Sequence, residues 1–139
     1  MFKKRLYDII TSVVYVNNLV LAYLGDAVYE LWIREYLINK GLVKVNDLQV
    51  ESLKYVSAKN QAMFLNKLLE NNILSEDEID IVKRGRNAKS HSKKNTDIVT
   101  YKKSTGLECL IGSLKVNNNI DRINEIMNFI VGGNNESNR

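Results

Sequence analysis

The stretch LVLAYLGDAVYELWIREYLI, residues 19–38, decides the fold class. Its apolar and aromatic side chains fall on almost every side of a 3.6-residue repeat and show no strand-like alternation. The pattern predicts a helix surrounded by protein, from about Asn18 to Asn39, with Gly41 placed to end it. Four charged residues interrupt it: Asp26, Glu30, Arg34 and Glu35. Asp26, Glu30 and Arg34 are four apart and share one face. A carboxylate buried there must be paired, protonated or bound to a cation. One reading is structural, with Glu30 and Arg34 as an i, i+4 pair and Asp26 in the same network. The other gives Asp26 a chemical role. Gly25 favours the second, because an interior helical glycine costs about 1 kcal/mol relative to alanine and is tolerated where something approaches the backbone closely.

The rest of the 139 residues fits the same class. There is no proline, glycine is sparse at seven, and 45% of residues are hydrophobic, which predicts a single all-α domain over residues 1–133 with a frayed tail at 134–139. Helices are expected from Lys3 to Val16, from Asn46 or Asp47 to Glu70, and from Ser75, where Ser75 and Glu78 form a capping-box pattern. A short helical piece should span Thr96 to Lys103. Ser104 or Thr105 should cap another helix reaching Val116, and a last helix from Ile120 should stop at Gly132-Gly133. The acids after Ser75 are more simply read as complements to the helix dipole than as a metal site.

The features around Asp26 recur in LECLIG, residues 107–112. Glu108 is the one charge in an otherwise apolar or small segment from Ser104 to Leu114, and Gly112 lies one turn later on the same face. Two such helices predict that Asp26 and Glu108 converge. Two carboxylates with water in the remaining positions is magnesium chemistry rather than zinc chemistry. Between Lys83 and Lys103 the local charge is +7 against a total of +4, which suits a polyanion-binding surface, although a solvated loop has the same composition.

Other chemistries lack their parts. The single histidine, His91, excludes a histidine acid–base pair within one subunit and reads as a loop residue or phosphate contact. The single cysteine, Cys109, rules out an internal disulfide and has no evident base to activate it. Asp8, Thr11 and Ser12 interrupt the N-terminal apolar stretch, so neither a secretory signal nor a membrane span is expected. No helix-turn-helix recognition helix supports a DNA-binding regulator.

Residues 21–30, LAYLGDAVYE, together with 105–112, TGLECLIG, resemble the two acidic motifs of the ribonuclease III family. Residues 83–90, KRGRNAKS, and the Tyr101…Ser104-Thr105…Glu108 spacing are similar to its Mini-ribonuclease III branch. The resemblance covers about Asn17 to Val116. It implies that Asp26 and Glu108 are the catalytic and magnesium-binding residues, supported by Gly25, Glu30, Tyr101, Ser104 and Thr105. Ala22 and Thr105 stand where full-length members carry further acids. No appended double-stranded-RNA-binding domain is evident, so Lys83, Arg84, Arg86, Asn87, Lys89, Ser90, Lys93 and Lys94 are expected to grip the RNA, with Ser92 as a further donor. The resemblance further implies an all-α homodimer in a bacterial cytoplasm that cuts double-stranded RNA with Mg2+ and matures the 23S ribosomal RNA precursor. No membrane or small-molecule cofactor is expected. The alternative is a non-catalytic RNA-binding or ribosome-assembly module of the same fold.

Overall fold

Asn17 opens the first helix by accepting the Leu19 amide on its side-chain oxygen at 2.9 Å. The structure is a computed structural model that describes residues 17–88 and 97–136. The expected helix at Lys3–Val16 lies outside that range, as do Lys89, Ser90, His91, Ser92, Lys93 and Lys94. Among the described residues the fold is all-α: α1 (Asn18–Asn39), α2 (Val45–Val56), α3 (Ala58–Glu70), α4 (Glu76–Asn87), α5 (Ile98–Val116) and α6 (Ile120–Glu136).

α1 has the predicted bounds. It ends at Gly41, whose φ of 102° lets its amide reach Ile38 O and the Leu42 amide reach Leu37 O. The single helix expected from residue 46 to 70 is two. Ser57 is extended and caps α3 by accepting the Asn60 amide on its hydroxyl. Carbonyls left open at the end of α2 are met by side chains: Asn60 donates to Leu53 O, and the buried Tyr29 hydroxyl donates to Tyr55 O at 2.8 Å.

α4 begins with the predicted capping box of Ser75 and Glu78. Glu78 also receives two hydrogen bonds from Arg122 of α6, and Arg122 donates another to Ile73 O. α5 is one helix, not two. Asp97 is its N-cap, while the Ser104 and Thr105 hydroxyls donate back to Tyr101 O at 2.9 and 3.0 Å inside it. α6 runs through Gly132-Gly133 to Glu136 without the expected stop, since a glycine weakens a helix by about 1 kcal/mol and does not by itself end one.

α5 is the axis of the molecule, packed against α1, α3 and α4, and all its residues from Ser104 to Leu114 are buried except half-buried Glu108. Leu107, Leu110 and Ile111 meet Tyr29, Ile33, Leu65, Leu68 and the α6 residues Ile126 and Met127 in one core. α1 departs from its prediction in one respect. Its inner face is buried, but Tyr23 is 84% exposed, and Leu31, Ile38 and Asp26 are exposed as well. A helix that reads as apolar all round is therefore only half covered by the described residues.

Candidate active site

Two glycines set the geometry of the site. A Cβ on Gly25 would fall inside the Glu108 carbonyl oxygen and 2.8 Å from the Gly112 amide nitrogen. A Cβ on Gly112 would fall inside the Leu21 carbonyl oxygen. α1 and α5 therefore cross backbone to backbone, closer than any side chain allows, and the residues next to the glycines are carried to one side of the crossing.

Asp26 and Glu108 arrive there together. They line a cleft of about 260 Å³ whose walls are Leu19, Ala22 and Tyr23 of α1 and Tyr101 and Thr105 of α5. Asp26 is exposed and Glu108 half-buried, so neither is the fully enclosed carboxylate that the helix pattern predicted. Their openness to solvent leaves room for substrate.

Burial keeps two neighbouring groups neutral, Tyr29 and Cys109. Burial, and after it the charge of Glu108, pushes the Tyr29 phenol far above its ordinary value, so it remains a neutral donor to Tyr55 O. Thr105 spends its hydroxyl hydrogen on Tyr101 O, which leaves oxygen lone pairs as its remaining capacity. Cys109 is fully buried, and burial raises its thiol to about 11 against the opposing field of Arg84. It is a core thiol and not a nucleophile.

Among the described residues no cluster of three or more His, Cys, Asp or Glu forms a metal cage. Two carboxylates and a hydroxyl oxygen in an open cleft are hard donors that leave several positions to water, and that set fits magnesium. Asp26, Glu108 and Thr105 are the residues that would hold it.

The remaining sequence-derived residues separate. Gly25 is the crossing point, and Tyr101 and Thr105 line the cleft. Ser104 is buried beside it and stabilises the helix. Glu30 is not in the cleft; its carboxylate pairs with Arg34 at 2.7 Å, as the structural reading of the face allowed. Lys83, Arg84 and Asn87 are exposed on the last turns of α4, and Arg86 is half-buried. Tyr23 and Leu19 went unmarked as lining residues. Their spacing from Asp26, three and seven positions back, was the available signal.

The profile of the ribonuclease III domain matches residues 19–119. A Mini-ribonuclease 3 from Streptococcus pneumoniae is 46% identical over 84% of this chain and 91% of its own length. The Mini-ribonuclease 3 of Staphylococcus aureus is 47% identical over 83% of this chain and 87% of its own. A crystal structure of a Fusobacterium nucleatum protein superimposes with a TM-score of 0.75 at 31% identity, covering 83% of this chain and 93% of that one.

Proposed function

The chain belongs to the ribonuclease III family and is an endoribonuclease; from that premise we propose that it hydrolyses double-stranded RNA with magnesium, using Asp26 and Glu108. The observation that carries this reading is the shared cleft of the two carboxylates, one from each of the helices that cross at Gly25 and Gly112.

Magnesium, when bound, supplies an activated water and neutralises charge developing on phosphorus and the leaving oxygen. The chain's own groups do the positioning. Asp26 and Glu108 present oxygens from opposite walls, and Thr105 adds an oxygen whose hydrogen is engaged elsewhere. Tyr29 anchors α1 to the end of α2 from within the core, so the backbone beneath Asp26 is tied. In the overall reaction the water oxygen bonds to phosphorus and the bond from phosphorus to the 3′ oxygen breaks. The products are a 5′-phosphate and a 3′-hydroxyl.

Duplex RNA is recognised by phosphates and 2′-hydroxyls more than by base edges. Lys83, Arg84, Arg86 and Asn87 on the end of α4, continued by Lys89, Ser90, Lys93 and Lys94, supply that grip. A second copy of the chain covers the apolar outer face of α1, where Tyr23 stands at the lip of the cleft. The homodimer thus carries two cuts, one per strand. Its test is sedimentation of wild type against Tyr23→Asp, with the dimer lost in the variant. The resemblance of residues 21–30, 83–90 and 105–112 to the family implies maturation of the 23S ribosomal RNA precursor in the cytoplasm as the role. No helix among the described residues is long and apolar enough to cross a membrane.

The deciding experiment is cleavage of an end-labelled RNA duplex by wild type and Glu108→Gln, with magnesium and with chelator. Cuts by wild type in magnesium alone are the expected result. A folded wild type that binds the duplex and leaves a ribosomal precursor intact would favour the assembly module instead.

A further inference from the structure

A second and larger cleft, of about 480 Å³, opens between α3 and the first turns of α5. Its polar lining is mostly basic or neutral: Lys59, Asn66 and Lys67 from α3, and Thr100 and Lys103 from α5. Ala62, Met63 and Val99 form apolar walls between them. Two acids also border it. The Asp97 carboxylate is engaged in capping α5, accepting from the Val99 amide and the Thr100 hydroxyl. Glu70 is exposed on the last turn of α3.

Lys103 is half-buried and its ammonium donates to Asn66 Oδ1 at 3.1 Å across the cleft, so its charge is held in place. Lys59 and Lys67 are eight residues apart on one helix, about 12 Å along its axis. Three ammonium groups set along that length match a run of sugar–phosphate backbone better than one small anion. The cleft also borders Asp97, where the chain returns from the basic segment of residues 83–94.

We infer that the groove of Lys59, Lys67 and Lys103 binds backbone phosphates of the RNA substrate away from the catalytic cleft, on the other flank of the N-terminal turns of α5. The inference rests on the duplex-RNA reading above. It adds Lys59 and Lys67 of α3 to the RNA-contacting groups and joins them to Lys103, the end of the basic stretch that begins at Lys83. The ligand chemistry is the phosphodiester chain, so the groove contributes affinity without base preference.

The test is binding of a labelled RNA duplex in chelator across a range of salt concentrations. Wild type is compared with Lys59→Gln/Lys67→Gln and with the triple variant that adds Lys103→Gln. The double variant leaves the Lys103–Asn66 hydrogen bond untouched and alters exposed side chains only, so its fold is retained. Expected are an affinity about tenfold weaker near physiological salt and a salt slope shallower by roughly two for the double variant. A wild-type affinity and slope in both folded variants would overturn the groove while leaving the nuclease reading intact. Failure of wild type itself to bind duplex RNA would overturn both.

Discussion

α5 carries glycine-lined seams on two of its flanks, and they differ in what touches what. On the α1 side, Gly25 and Gly112 bring backbone against backbone, with carbonyl oxygens where a Cβ would go. On the α4 side, the nearest atom to a Cβ on Gly85 would be the Cys109 Cβ at 2.6 Å, and for Gly106 the Arg86 Cγ at 2.9 Å. The first seam has no flexible atom to move. The second includes a long side chain that can move, although Val82 O also lies 2.9 Å from a Gly106 Cβ. The first seam carries the acids and the second carries the arginines. The roles proposed for them make the same demand: a reaction centre needs placement to a fraction of an ångström, whereas phosphate contacts tolerate play.

Substituting the acids separates the two seams most strongly. Asp26→Asn is expected to lower the cleavage rate by roughly 10³-fold or more, with duplex affinity close to wild type. A comparable rate would remove the chemical distinction between the seams. Next comes Gly25→Ala, expected to cost about 3 kcal/mol or to prevent folding, against about 1–2 kcal/mol for Gly106→Ala. Urea denaturation of both variants ranks the seams directly; equal losses would show that they are equally rigid.

α4 has a second anchor at its start, and pH probes it. Hydrogen bonding from Arg122 holds Glu78 below the usual carboxylate range, against the opposing effect of burial. A depressed carboxylate stabilises the fold above its unfolded value, and that stability is lost as pH falls through the folded one. Unfolding at decreasing pH below about 4.5 should therefore show an acid-sensitive component. Glu78→Gln should remove that component and cost about 2 kcal/mol at neutral pH. An unchanged acid profile in the variant would show that α4 hangs on its glycine seam alone. The smallest expected effect is that of Arg84→Ala with Arg86→Ala, about tenfold in affinity with a shallower salt dependence. A fall in the rate at saturating RNA instead would join the α4 seam to the chemistry.

Elements with a local chemical signature were legible in advance. α1 was bounded correctly by its composition and Gly41, and the Ser75–Glu78 capping box formed as its spacing required. Convergence of Asp26 and Glu108 followed from the two interior glycines. The misreadings share a cause: a side chain has more than one use. Ser57 breaks a helix whose apolar spacing continues across it, and Ser104 and Thr105 resemble caps but bond backwards inside α5. The exposure of Asp26 was hidden because apolar residues on α1 serve both the core and an outward face, and one chain's sequence does not divide them. The phosphate groove was missed for another reason. Lys103 ends the basic stretch noted from Lys83, but its partners Lys59 and Lys67 come from α3, 36 to 44 residues earlier in the chain, where no run of charge announces them.

The continuity of α5 makes it a ruler. From Asp97 to Glu108 it advances eleven residues on an unbroken hydrogen-bonded rod, about 16 Å. A strand held at one end of that rod meets the carboxylate at a set distance along its own contour. With RNA gripped as proposed, helical rise and not base identity would set the spacing between grip and cut.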